Sequence, residues 1–251
     1  MMAEQTAEII EIFSSIQGEG KYAGCRQVFV RFTGCNLACS YCDTANTAGG
    51  FPECRIETEA GSQTFRTLAN PLTVNAAAEA IETFLAEMPH QAVSFTGGEP
   101  LLHAPFLRAV AERLQADYPD VAIFLETNGT LYRQLAEVLD IVDIISMDIK
   151  MPGETGDHWA EHEAFLRLAR LRDVCLKVVL TADTPLEDIK KAAGLAARMA
   201  PQAMFVLQPV TPYNGCAAPT PQQVTAAQQA ALAVVSDVRV LPQTHRLLAQ
   251  L

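Results

Sequence analysis

Positive charge is scarce in this chain: 18 lysines and arginines face 29 aspartates and glutamates, a formal net charge of -11. Nucleic-acid affinity rests on lysine and arginine displacing counterions, so this balance speaks against a general nucleic-acid binder and for a small-molecule substrate. Long apolar runs are also missing. None approaches the ~20 residues that a bilayer crossing needs. Residues 1–8 are acidic and lack the basic-then-apolar profile of a secretory signal, so no membrane association is expected. There is no internal repeat and no low-complexity tract. Cysteines number seven, and Cys25, Cys54, Cys175 and Cys216 fall at no framework spacing. That pattern excludes a disulfide scaffold and fits a reducing cytoplasm.

What is present suits one large α/β domain. Hydrophobic residues make up 49% of the 251 and charged residues 19%, ample material for a core. Apolar patterning predicts an opening strand at 9–13 and a second at 27–33. From residue 71 onward helices alternate with short apolar strands. Helices are expected at 76–88, 105–118, 132–139, 158–171, 186–199 and 222–236. The strands between them are expected at 92–96, 121–126, 141–147, 175–180, 204–207 and 238–241. Such strands read as buried on both faces of a parallel sheet, linked by right-handed crossovers. The expectation is an incomplete (β/α) barrel of about six parallel strands, in a single domain over 1–251. A doubly wound open sheet has the same periodicity. Residues 45–71 show no period at all and read as an irregular insertion.

Polar motifs recur where these strands end, which is where both architectures place active sites. The densest follows the strand at 27–33: Cys35, Cys39 and Cys42, spaced Cys-x3-Cys-x2-Cys in a turn. Thiolates suit iron–sulfur clusters or zinc. A four-iron cubane normally takes four cysteines, so a trio leaves one iron open to a small molecule. Three structural thiols, or a zinc knuckle completed from afar, use the same residues. Gly97-Gly98-Glu99-Pro100 ends the next strand; its glycines let backbone approach a ligand, and they equally suit a tight strand-to-helix turn. Glu126, Asn128, Ser146, Asp148, Lys150 and Gln208 end later strands as ligand partners or as helix caps. Arg31 offers a fork that matches a carboxylate, or a surface ion pair.

The cysteine spacing, with Tyr41 just before the third cysteine, resembles the radical S-adenosylmethionine (SAM) superfamily. Further blocks narrow the likeness: Ile16-Gln17-Gly18-Glu19-Gly20, Arg31 to Leu37, Cys42-Asp43-Thr44, and Pro242-Gln243-Thr244-His245-Arg246-Leu247-Leu248. Together they resemble the 7-carboxy-7-deazaguanine synthase family, from Ile12 to the C-terminus but not over 45–71. The resemblance implies a 4Fe-4S cluster on Cys35, Cys39 and Cys42, and Mg²⁺ on Thr44. It implies SAM against Tyr41, Cys42, Asp43, Gly98, Glu99, Glu126, Ser146, Met147, Asp148 and Gln208. The implied substrate, 6-carboxy-5,6,7,8-tetrahydropterin, meets Ile16, Gln17, Gly18, Glu19, Arg31, Thr96 and His245. A flavodoxin-like reductant, a cytoplasmic setting and a homodimer come with the family, as does ring contraction with loss of ammonia and regeneration of SAM. Two rivals share part of the pattern. A glycyl-radical-enzyme activase has the cysteine spacing without the Gln-Gly-Glu-Gly loop or the Pro-Gln-Thr-His tail, and a non-catalytic zinc or redox module needs only the thiols.

Overall fold

The computed structural model describes residues 5–42, 44, 50–212 and 215–250. Its first elements are strands: β1 (Thr6–Ala7), β2 (Ile9–Ile16), β3 (Arg26–Phe32), β4 (Glu53–Glu57), β5 (Phe65–Ala69) and β6 (Leu72–Thr73). Then helices and strands alternate: α1 (Val74–Glu87), β7 (Ala92–Gly97), α2 (Ala104–Asp117), β8 (Ala122–Thr127), α3 (Tyr132–Val138) and β9 (Ile144–Asp148). The short α4 (Pro152–Thr155) precedes α5 (Trp159–Ala169), β10 (Asp173–Leu180), α6 (Leu186–Met199), β11 (Met204–Pro209), α7 (Pro221–Leu232), β12 (Val238–Val240) and α8 (Thr244–Leu247).

Local signals explain the helix starts. The Thr73 hydroxyl accepts from the Ala76 N–H at 3.2 Å, and α1 then places Ala77, Ala80, Ile81 and Phe84 on one buried stripe. Thr220 and Gln223 form a reciprocal capping box at α7, with Pro221 in the first turn.

Ten strands form one sheet in the order β12-β11-β10-β9-β8-β7-β3-β2-β4-β5. The run from β3 through β7, β8, β9, β10, β11 and β12 is parallel throughout, seven strands where about six were expected. Its order never reverses. A doubly wound sheet must reverse at a switch point, so the winding here is that of an incomplete (β/α) barrel. Helices α1, α2, α3, α5, α6 and α7 pack side by side in sequence order, as the single outer layer of such a barrel requires.

The irregular reading of 45–71 is corrected over its described part. β4 and β5 pair antiparallel, Cys54 opposite Leu68 and Ile56 opposite Arg66, and β4 lies parallel to β2. Cys54 and Ile56 point into the core, whereas Arg66 and Thr67 are exposed. Five-residue strands with one buried face carry too few apolar residues to register as a period. Residues 45–49 lie outside the described set.

The expectation of strands apolar on both faces is also revised. Val28, Val30, Phe32, Phe95, Leu125 and Phe205 face the helices in the main core. Phe32 alone meets the rings of Phe95, His103 and Phe106. Residues at alternate positions, among them Thr96, Glu126, Ser146, Asp148, Lys177 and Gln208, line a cavity on the inner face.

Candidate active site

That cavity, about 580 Å³, opens at the C-terminal ends of the parallel strands. It collects most of the residues singled out from the sequence. Ile16, Gln17, Gly18, Glu19, Arg31, Thr96 and His245 line it, as do Cys35, Cys39, Tyr41, Cys42, Thr44, Gly98, Glu126, Ser146, Asp148 and Gln208. Glu99 and Met147 do not. Met147 is fully buried in the helix-side core, where its side chain would meet any Cβ placed on Gly129. Asp43 lies outside the described residues.

Glu99 is completely buried. Its carboxylate accepts from Leu101 N–H (3.1 Å), Thr127 Oγ1 (2.8 Å) and Asn128 N–H (2.8 Å). Burial pushes its pKa up to about 7 against the pull of those donors. Glu99 therefore ties the β7 and β8 loops together, and the ligand-facing part of this turn is its glycines. Their first duty is close packing. A Cβ on Gly98 would fall 1.7 Å from the Gly34 carbonyl oxygen, and Glu99 N–H donates to that same oxygen at 2.8 Å. The turn is thus pressed backbone to backbone against the start of the cysteine loop.

Within that loop all three thiols are half-buried and free of disulfides. Leu37 N–H donates to Cys35 Sγ at 3.4 Å, and Asn128 Nδ2 lies 3.8 Å from the same sulfur. Burial raises the Cys35 and Cys39 pKa values, opposed at Cys35 by the Leu37 N–H and at Cys39 by Lys150. Such thiols ionise when a metal takes the proton's place. Among the described residues no three His, Cys, Asp or Glu side chains converge as they would on one ion. A cubane asks each thiolate for a different iron, and Cys35, Cys39 and Cys42 offer three sulfurs to one cavity. The donor set fits a cluster.

A polar chain crosses the inner face. Thr96 Oγ1 donates to Glu126 at 2.7 Å, and Gln17 Nε2 donates to Glu126 (2.7 Å) and Gln27 (3.2 Å). Gln17 Oε1 accepts from Glu19 N–H at 3.0 Å, and the Glu19 carboxylate pairs with Lys177. Lys177 also lies 3.1 Å from Asp148, whose other oxygen meets Lys150 at 2.7 Å. Burial opposes the Asp148 carboxylate, but the two ammoniums outweigh it and hold its pKa below the ordinary value. In turn Asp148 and Glu19 lift Lys177 far above a normal lysine despite its burial. The sequence reading passed over Lys177. Its signal was a single charge inside the otherwise apolar run from Val174 to Leu180.

A second ion group sits toward the antiparallel flank. Arg31 Nε donates to Glu11 at 2.9 Å, and Arg55 reaches the other Glu11 oxygen at 3.5 Å. The C-terminal tail closes over the Gln17–Glu19 loop. Thr244 N–H donates to the Gly18 carbonyl (2.8 Å) and Gln243 Nε2 to Glu19 (2.8 Å). His245 packs so tightly on Gly18 that a Cβ there would lie 2.0 Å from its Nδ1. Only glycine fits.

Residues 29–195, most of the barrel and the whole cysteine loop, match the model of the Radical SAM superfamily. The parallel barrel and its thiol-lined mouth thus define a radical SAM enzyme. The chain is 39% identical over 254 residues to the 7-carboxy-7-deazaguanine synthase of Geobacter sulfurreducens, covering 100% of both. It is 33% identical to that of Methanothermobacter thermautotrophicus, over 96% of this chain and 97% of the relative. The chain belongs to the 7-carboxy-7-deazaguanine synthase family. The crystal structure of QueE from Escherichia coli shares its fold, with a TM-score of 0.60, 18% identity, and 95% and 94% of the two chains covered. So does a structure of TYW1 with a lysine-pyruvate adduct bound (TM-score 0.58, 11% identity, 84% and 74% covered).

Proposed function

We propose that this chain converts 6-carboxy-5,6,7,8-tetrahydropterin to 7-carboxy-7-deazaguanine with loss of ammonia, consuming no net SAM. The observation that carries the reading is the full-length likeness to named 7-carboxy-7-deazaguanine synthases, in a chain whose three motif cysteines line the same cavity as Gln17, Glu19 and Arg31. The same likeness speaks against an activase or a zinc module.

Cys35, Cys39 and Cys42 would hold the 4Fe-4S cluster. Together with SAM it supplies the electron and the hydrogen-abstracting radical of the superfamily. Backbone at Gly97 and Gly98, with Ser146, Asp148, Gln208 and Tyr41, offers acceptors and donors for SAM. Lys150 stands over the Tyr41 ring at 5.4 Å, fixing that wall. The Gln17–Glu19 loop presents amide and carboxylate groups to the donor-rich edge of a pterin. In exchange for those contacts it would release bonds it now makes internally, which favours a substrate that matches them. Arg31 faces the substrate carboxylate. Thr44 lines the cavity and offers one hydroxyl to a magnesium ion, which takes few protein ligands. The tail residues Gln243 to His245 cover the loop and exclude water from a site where a radical must not be quenched. A flavodoxin-like reductant, a cytoplasmic setting and a homodimer belong to the same reading. Among the described residues no helix is long and apolar enough to cross a membrane.

An anaerobic assay with SAM, the carboxytetrahydropterin and a reducing system tests it. Ammonia and the deazapurine acid should accumulate beyond one equivalent per SAM, and Cys39→Ala should abolish both. Turnover by Cys39→Ala, or SAM cleavage by the unaltered chain with no pterin consumed, would overturn it.

A further inference from the structure

The cavity is lined by five acids (Glu11, Glu19, Glu53, Glu126, Asp148) and five bases (Arg31, Arg55, Lys150, Lys177, Arg246), but their charge is unevenly placed. Lys150 and Lys177 are matched two for two by Asp148 and Glu19. Arg246, on the tail, is hydrogen-bonded to Gln243 at 3.0 Å. Arg31 is bound to Glu11, a carboxylate buried beneath it. Taken alone, Arg31 and Glu11 sum to zero, and an incoming carboxylate would lose to Glu11 part of what it gained from the guanidinium.

Arg55 changes that sum. It stands on β4 directly opposite Glu11 in the β2–β4 register, and its guanidinium carbon lies 4.1 Å above the centre of the Phe65 ring on β5. The ring holds the fork without neutralising it. One Arg55 nitrogen reaches Glu11 at 3.5 Å. Among the described residues neither the Arg31 nor the Arg55 guanidinium has another hydrogen-bonding or ion-pair partner. The trio therefore carries one net positive charge at the mouth of the cavity. Glu53, two residues earlier on β4, is exposed and makes no ion pair with either guanidinium among the described residues.

We propose that Arg55 is a specificity-determining residue: with Arg31 it receives the carboxylate of the substrate, Glu11 serving as the buried hinge that spaces the two forks. This rests on the reading of the substrate as a carboxylated pterin. It makes the β4–β5 hairpin, which carries none of the family motifs, part of the binding site. It also makes acid-versus-amide discrimination a property of that hairpin.

The experiment uses cluster-loaded enzyme, kept anaerobic, with the carboxytetrahydropterin and its 6-carboxamide. Arg55→Gln should raise KM for the acid about 10- to 100-fold, the worth of a charged hydrogen bond, while kcat, SAM affinity and carboxamide affinity change less than about 3-fold. Arg55→Lys should recover part of the loss, because charge returns without the fork. Phe65→Leu should give a smaller rise of the same kind, and it keeps the test alive if Arg55→Gln does not fold. Unchanged KM and unchanged acid-to-amide preference in the Arg55→Gln enzyme, or in Phe65→Leu if Arg55→Gln does not fold, would overturn the role of Arg55 alone. An unaltered enzyme that binds neither pterin fells the substrate reading and this inference with it.

Discussion

Two ion groups border the cavity, and they are built on opposite plans. Glu19, Lys177, Asp148 and Lys150 sit within the parallel barrel, none of their side chains more than 21% exposed, two acids against two bases. Glu11, Arg31 and Arg55 sit on the adjoining strands β2, β3 and β4, one acid against two bases, with Arg55 51% exposed. The first group has no charge to spare. Buried charges survive only when paired, so it is a rigid scaffold that fixes Asp148 and the Gln17–Glu19 loop. The second keeps a surplus positive charge near solvent, where attraction for an anion costs little desolvation. Position and stoichiometry together separate a neutral, buried group from a cationic, solvent-facing one.

The sharpest way to break this contrast is Lys177→Met, which strands Glu19 and leaves Asp148 to Lys150 alone. Stability should fall by about 3–5 kcal/mol in urea unfolding. A loss under ~1 kcal/mol would mean that the scaffold is solvated and the contrast false. Arg31→Gln should act in the reverse sense, weakening the carboxylated pterin about 100-fold in equilibrium binding while costing far less stability than Lys177→Met. Arg55→Gln should cost at most about 1 kcal/mol of stability, its effect showing in KM instead.

A further effect is a pH dependence at the scaffold's edge. His162 Nε2 lies 3.2 Å from the Asn128 carbonyl oxygen and 3.4 Å from the Lys150 N–H, linking the loops after β8 and β9. Burial lowers its pKa from 6.5 to about 4, opposed by the bond to Asn128. Between those values the unfolded chain binds a proton that the native state refuses, so stability is whole above pH 6.5 and drains as pH falls toward 4. The slope approaches at most about 1.4 kcal/mol per pH unit. Parallel unfolding curves for the unaltered protein and His162→Gln should converge across that window; curves that stay parallel would remove His162 from the account.

The barrel was legible because its signals are strong. Helix 186–199 falls at Leu186–Met199, and strand 92–96 falls within Ala92–Gly97. The three cysteines, the Gln17–Glu19 loop, Glu126 and Asp148 were legible as neighbours around one cavity because each lies at a strand end or in a glycine-rich loop. What was missed shares a cause. Lys177 lies in a strand whose neighbours are all apolar, and only the inward alternation of the folded barrel shows that it faces Asp148. Arg55 and Phe65 belong to strands too short to show a period, and their meeting depends on an antiparallel register that no local pattern encodes. Glu99 sits in a motif that marks a ligand loop, yet three donors from neighbouring backbone and Thr127 claim its carboxylate. Spacing identifies a turn; it does not say which way a side chain leaves it.

The central claim is a cluster on Cys35, Cys39 and Cys42 that keeps one iron for SAM. Iron analysis and electron paramagnetic resonance of the reduced, anaerobically prepared protein address it directly. The account predicts about four irons per chain and a signal that changes when SAM is added. A protein that carries zinc in place of iron, or a cluster whose signal ignores saturating SAM, would contradict it.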